Sequence, residues 1–328
     1  MSQKKKRLIT GVKPTGKPHI GNYFGAMKPC IDFQNEYESF IFIPDLHSLT
    51  SVRNKSELRQ NIIDVTLDFL AVGLDPEKAV FFRQSDLHEH AELSWILGCI
   101  TPVGMMERAH AWKDATSKNL KDPNIGLFTY PILMAADILL YQPDIVPVGK
   151  DQKQHVEIAR DIADKFNNFF GETFKLPMEY TPDEIANIVG TDGEHKMSKS
   201  YNNTIQLFAD EVTLKKQIMS IKTDSTPVES PKNPNNDTIF KLYSLMATSG
   251  EIENLKDKYL AGGFGYGDAK KLLLSKYLEY FAEARQKRIE LQKDLGYLED
   301  VLNTGAQKAK KVASKTLDTV KQAIGLVL

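Results

Sequence analysis

Lys196-Met197-Ser198-Lys199-Ser200 sits past the middle of this 328-residue chain, on a Ser-rich stretch that follows Gly193. Two ammonium groups three positions apart can grip a polyphosphate and stabilise the charge that grows on a departing pyrophosphate. Far upstream, Pro18-His19-Ile20-Gly21-Asn22 follows a short apolar run. His19 and Asn22 would share one face of a helix start. Gly21 would let a ring or sugar approach the backbone closely. The helix N-terminus itself favours an anion. Lys13-Pro14-Thr15-Gly16 leads into this segment, and Thr15 and Gly16 would converge with His19 at the same place. Alone, His19 would read more readily as a solvent-facing residue at a helix start. The lysine loop downstream makes phosphate binding the sharper reading.

Gly149-Lys150-Asp151-Gln152 ends another apolar run and opens a helical pattern. Gly149 permits backbone approach, Asp151 can accept from ribose hydroxyls or cap the helix, and Gln152 can serve a substrate amine. A third segment, Tyr130-Pro131-Ile132-Leu133-Met134-Ala135-Ala136-Asp137-Ile138-Leu139-Leu140-Tyr141, carries one charge in an apolar helix. Pro131 suits a first helical turn. Tyr130, Met134, Asp137 and Tyr141 then fall on one face. A buried carboxylate must accept hydrogen bonds. Its donor is either a neighbouring Arg, His or backbone amide, or the N–H of a ligand. An indole nitrogen donates and cannot accept, which suits a fixed carboxylate. Met134 would offer a large ring a polarizable wall.

These residues need a scaffold that brings strand ends together. Leu8–Val12, Phe40–Pro44, Ala79–Arg83 and Ile145–Val148 read as strands, separated by helical patterns over Gly16–Tyr37, Glu57–Val72 (capped by Ser56) and Gln152–Phe166. Such alternation implies a Rossmann-like parallel sheet in an α/β domain. Ligands of such sheets bind at the carboxyl ends of the strands, where Val12–Gly16 and Val148–Gln152 lie. The expected division is a catalytic α/β domain over residues 1–204 with a helical insertion at about 86–128. A helical domain follows over 205–300, then a C-terminal helix over 301–328 that packs back on the first domain. Residues 222–237 are rich in Pro, Asn, Ser and Asp and read as a surface segment. Helices are expected at 238–247, 251–260, 266–302 (a break near 295 being one option) and 304–325, with Gly262-Gly263-Phe264-Gly265 as a turn between two of them.

Composition sets outer bounds. Net charge is -1, so bulk charge announces no nucleic-acid partner, and any phosphate attraction must be local. Lys4–Arg7 and the set Lys308, Lys310, Lys311, Lys315 are either such patches or solvated surface. Cys30 and Cys99 are the two cysteines, without metal-ligand spacing. That argues against zinc, an iron–sulfur cluster or a disulfide framework. No apolar run reaches the length of a membrane span, and no apolar stretch backs the basic start, so a cytoplasmic protein is expected.

The pairing of His19-Ile20-Gly21-Asn22 with Lys196-Met197-Ser198-Lys199-Ser200 resembles the two signature motifs of class I aminoacyl-tRNA synthetases. The Tyr130–Tyr141 segment and Asp144-Ile145-Val146-Pro147-Val148-Gly149, with Asp151, Gln152 and His155 after it, resemble the tryptophanyl-tRNA synthetases within that class. The likeness runs nearly the whole length and includes Thr223-Asp224-Ser225. It implies an ATP-dependent ligase that charges tRNA(Trp) with L-tryptophan, Mg²⁺ accompanying ATP, and a homodimer. It also implies that Lys13, Pro14, Thr15, Gly16, His19, Gly21, Asn22, Gly149, Lys150, Asp151, Ile188 and Lys196–Ser200 bind ATP. Ile188 stands for a stretch, 187–193, that would present backbone to adenine. Lys196, Lys199, Lys113 and His19 would be catalytic. Asp137 would accept from the indole N–H, Tyr130 and Gln152 would hold the α-amino group, Met134 and Val148 would line the ring, and His47 would sit nearby. Two departures stand out. Lys13 replaces a frequent Gln, and Tyr201-Asn202-Asn203 replaces a frequent Asp-Pro-Asn. A tyrosine-specific relative, a small-molecule adenylyltransferase and a catalytically silent homologue are the rival readings.

Overall fold

The computed structural model describes residues 5–14, 16–110, 112–113, 123–149, 152–180 and 188–327. The chain divides into two compact units. The first comprises Met1–Gly16, Pro29–Glu184 and Asp294–Leu328; the second comprises Lys17–Lys28 and Ile185–Lys293.

In the first unit, β1 (Arg7–Gly11), β2 (Glu38–Ile43) and β3 (Ala79–Arg83) form a parallel sheet, with Ile9 opposite Phe40 and Phe40 opposite Val80. Every residue of β2 after Glu38 is buried, as expected of a central parallel strand covered on both faces. A parallel bridge from Leu8 to Ile145 continues the sheet to β4 (Val146–Pro147), which pairs with β5 (Glu179–Tyr180). The order is therefore β3-β2-β1-β4-β5. β4 is shorter than the apolar run suggests, and Pro147 has no N–H to give a ladder.

Three helix starts differ from the sequence expectation, each because an unnoticed side chain caps earlier. Asn54, not Ser56, caps the Lys55–Ala71 helix by accepting the Glu57 N–H at 3.0 Å. Asn124 caps Ile125–Leu139 through the Leu127 N–H at 3.0 Å, so Pro131 lies inside the helix and not in its first turn. Pro131 supplies no N–H to the carbonyl four residues back. Asp294 caps a single final helix, Leu295–Ala323, so the optional break near 295 is present and the expected break near 303 is not. That helix covers the sheet-edge strand β3. A Cβ on Gly305 would lie 1.8 Å from the Phe81 carbonyl oxygen, so only glycine allows this approach. Ala309, Ala313, Leu317 and Val320 continue the buried face.

The second unit is helical: Glu211–Met219, Thr238–Ser244, Ser249–Ala261, Tyr266–Tyr280 and Ala282–Leu291. The expected 266–302 helix is thus broken after Tyr280 and again before Asp294. Residues 17–28 and 185–204 group with these helices, whereas the sequence placed them with the sheet. The reason is local pairing. The Ile20 N–H donates to the Ile205 carbonyl and the Leu207 N–H to the Pro18 carbonyl, both at 2.9 Å. Buried Tyr277 donates its hydroxyl to the carbonyls of Gln206 and Leu207. Tyr23 packs edge-on against Phe281 at 5.0 Å. The turn plus helix expected over 16–37 is Ile20–Asn22, a π turn at Tyr23–Met27, and Lys28–Phe33.

Among the described residues no helix is long and apolar enough to cross a membrane.

Candidate functional site

The two motifs expected to bind phosphate lie together in the second unit. His19 caps its helix: its Nδ1 accepts the Asn22 N–H at 3.3 Å, and Asn22 Oδ1 accepts the His19 N–H at 3.1 Å. This reciprocal cap fixes the imidazole with Nδ1 as acceptor and Nε2 as the N–H donor. His19 is buried. Burial, then the positive charges of Lys199 and Lys196, push its pKa down to about 4. A neutral ring is therefore held beside two ammonium groups. Gly21 faces the lysine loop directly. A Cβ there would lie 2.9 Å from His19 Nδ1 and 3.3 Å from the Met197 Cβ.

The lysine loop is built on a small antiparallel pairing, Val189 opposite Lys196. The Met197 N–H donates to the Ile188 carbonyl at 2.7 Å, and the Gly190 N–H to the His195 carbonyl at 2.9 Å. The side chains of Met197 and Ile188 are buried and anchor the loop. Lys196 and Lys199 are exposed. Protein crowding around the Lys199 ammonium nonetheless lowers its pKa. Ser198 and Ser200 bond to each other through their hydroxyls at 2.8 Å.

Sequence reasoning missed the residue that organises this loop. Asn203 is buried, accepts the Ser198 N–H, and donates to Asp192 Oδ2 and the Lys196 carbonyl at 3.0 and 3.2 Å. It is the Asn kept where Tyr201-Asn202-Asn203 departs from Asp-Pro-Asn, which was the available signal.

In the first unit, Lys13 follows β1, and burial lowers the pKa of its ammonium. Pro14 is buried and Gly16 takes a positive φ of 85°. The Gly149 carbonyl accepts the Gln152 N–H at 2.9 Å as the Lys153–Phe170 helix begins. Lys113 is described, with its N–H bonded to the Ala109 carbonyl. Thr15, Lys150 and Asp151 lie outside the described residues, as does position 187 of the expected adenine stretch.

The residues expected to recognise the ring gather around a polar cluster in the first unit. Asp137 is 1% exposed. Its Oδ2 accepts from His47 Nε2 at 2.8 Å; its Oδ1 accepts from Gln84 Nε2 and His90 Nδ1, each at 2.7 Å. Burial alone would raise this carboxyl, but the His47 and His90 hydrogen bonds outweigh it and hold the pKa at about 2. Neighbouring histidines therefore do satisfy Asp137, one of the two alternatives left open by the sequence. Around it, the His47 and Tyr130 rings meet edge-on at 6.0 Å, and the Tyr130 hydroxyl lies 2.5 Å from His155 Nε2. Met134 and Val148 pack half-buried against the core. Gln84 and His90 were not foreseen. His155 stands within a recognised segment, but its contact with Tyr130 was not read from it.

Comparison with known proteins follows the same lines. The family model for class I tRNA synthetases (W and Y) matches residues 1–282. Tryptophan–tRNA ligase of Fusobacterium nucleatum is 54% identical over 98% of each chain, and that of Rhodopirellula baltica 52% identical over 98% of this chain and 99% of its own. Tryptophanyl-tRNA synthetase of Campylobacter jejuni, solved with ADP and tryptophan, superposes with a TM-score of 0.92 at 49% identity, covering 97% of this chain and 99% of its own. The two signature motifs, the parallel sheet and this degree of identity agree: the chain belongs to the class I tRNA synthetases, among the tryptophan–tRNA ligases.

Proposed function

We propose that the chain activates L-tryptophan with MgATP and passes it to tRNA(Trp). The observation that carries the reading is the juxtaposition, in one unit, of neutral His19 and Gly21 with Met197 between two lysines. The tryptophan carboxylate attacks the α-phosphorus of ATP, giving tryptophanyl-adenylate and pyrophosphate. His19 Nε2–H is the donor available to a phosphate oxygen, and Lys196, Lys199 and Lys113 would balance the charge of the leaving pyrophosphate. In the second unit Gly21, Asn22 and the backbone near Ile188 would serve the nucleotide; in the first unit, Lys13–Gly16 and Gly149–Asp151 would. Mg²⁺ would travel with ATP, held largely through waters. No covalent enzyme intermediate is needed, and positioning with electrostatics does the catalysis.

Tryptophan would be recognised at Asp137. Three donors occupy the carboxylate among the described residues, and Oδ2 carries one of them, His47. A carboxylate oxygen accepts two, so Oδ2 can take the indole N–H as well. Met134 and Val148 would line the ring; Tyr130 and Gln152 would hold the α-amino group. The second unit's helices, from Glu211 to Leu291, would read the anticodon. A homodimer fits the exposure of Trp95, Val103 and Ile125, at 77%, 64% and 76%. Class I membership implies attack by the terminal 2′-OH of tRNA. Charging of tRNA(Trp) ending in 3′-deoxyadenosine, together with failure of tRNA ending in 2′-deoxyadenosine, is the expected result. The reverse preference would overturn this second step.

A further inference from the structure

We propose that Gln84, His90 and Tyr141 are positioning residues that determine which oxygen of Asp137 meets the indole N–H, and so set the specificity of the pocket. The inference rests on the reading of Asp137 as the indole acceptor.

The two carboxylate oxygens are not equivalent. Among the described residues Oδ1 receives two donors, Gln84 and His90, and is filled; Oδ2 receives one. Each donor is itself fixed from behind. Gln84 accepts the Leu46 N–H on its Oε1 at 3.2 Å, which settles its amide orientation and points Nε2 at Asp137. His90 is fully buried, with Nδ1 toward Asp137 and Nε2 at 3.0 Å from the Tyr141 hydroxyl. Nδ1 faces an ionised carboxylate and so carries the proton. With Nδ1 as donor, Nε2 is the acceptor that the Tyr141 hydroxyl finds. Burial, followed by the negative charges of Asp137 and Glu89, holds the Tyr141 phenol well above its usual pKa, so it keeps its proton as donor.

The chain Tyr141 to His90 to Asp137 thus defines one proton arrangement and one carboxylate rotation. Rotation that freed Oδ1 would leave two buried donors unpaired, which is costly. The open acceptor direction is consequently confined to Oδ2. An N–H can fill it. A ring lacking that proton leaves it unfilled, and discrimination follows from that mismatch. Tyr141 and Gln84 need never touch the substrate to exert this effect.

The test is pyrophosphate exchange with tryptophan and with its benzothiophene analogue, in which sulfur replaces the indole N–H. The parent is compared with Tyr141→Phe, His90→Leu, His90→Asn and Asp137→Asn. His90→Leu should raise the KM for tryptophan on the order of tenfold and shrink the tryptophan-to-analogue ratio of kcat/KM similarly, at unchanged KM for ATP. Tyr141→Phe, the milder change, should move both the same way by a smaller factor. His90→Asn, which keeps a donor near Nδ1, should recover most of the ratio. If Asp137→Asn collapses the ratio while Tyr141→Phe and His90→Leu leave it intact, the positioning role is wrong and the acceptor role stands. If Asp137→Asn leaves the ratio intact, the acceptor reading fails and takes this inference with it.

Discussion

The Asn203 side chain accepts the Ser198 N–H at 2.7 Å, so a residue outside the five-residue lysine motif holds that motif's central backbone. The same amide donates to Asp192 and to the Lys196 carbonyl, and a Cβ on Gly190 would lie 2.1 Å from its Nδ2. Asn203→Ala removes all of these hydrogen bonds, at about 0.5–1.5 kcal/mol each. The lysines then lose their registration. Adenylate formation should slow by about a hundredfold, the scale of an ångström's misplacement. Tryptophan affinity by equilibrium binding should hold. Single-turnover adenylate formation at the parent rate would exclude this role.

Lys199→Ala tests the charge that the loop delivers. The rate of adenylate formation should fall by about 10²–10³, the usual cost of losing one transition-state donor. Tryptophan binding, measured without ATP, should stay near the parent value. Loss of tryptophan binding with the rate preserved would contradict the assignment.

His19 gives a pH signature. Its native pKa is held down at about 4, against 6.5 for an unperturbed imidazole. Between those values the unfolded chain takes up a proton that the native chain refuses. Stability from this group is therefore fully present above pH 6.5 and falls as pH drops toward 4. His19→Asn keeps a helix-capping side chain without the titration. Denaturant melts should find the parent losing ground to the variant across that window and running parallel to it above. A gap that first opens above pH 6.5 would be inconsistent with the neutral, crowded imidazole.

Gly305→Ala probes the seat of the last helix on the sheet. The added methyl meets the Phe81 backbone, which cannot swing aside like a side chain. The helix must shift, at about 1–3 kcal/mol or more, as overpacking usually costs. The urea midpoint should drop accordingly. An unchanged midpoint would mean that the helix sits further from β3.

The sheet was legible because β2 is a nearly unbroken apolar run and its neighbours repeat the pattern at intervals filled by helical spacing. The helical second half followed from the same periodicity. The optional break near 295 falls where Asp294 caps a new helix, and the one near 303 is absent because the buried stripe of Val301, Leu302 and Gly305 runs through it. The signature motifs were legible as chemistry, but their shared unit was not, since the pairing of Pro18–Ile20 with Ile205–Leu207 spans nearly the whole domain in sequence. Gln84 and His90 left no trace for a similar reason. Each is a lone polar residue whose meaning comes from Asp137, 53 and 47 positions away. Asp137 itself was conspicuous as a charge in an apolar helix, and its partners are what the sequence left open. Gly305 carried no signal of its own, because close approach to β3 depends on a strand more than 200 residues earlier.

Amino-acid-dependent ATP–pyrophosphate exchange, run with tryptophan and tyrosine in parallel, tests the central claim most directly. Exchange with tryptophan and none with tyrosine is the predicted result. Exchange with tyrosine alone would keep the phosphate grip and overturn the Asp137 pocket. Absence of exchange with both, from folded protein that binds ATP, would contradict the enzymatic account itself.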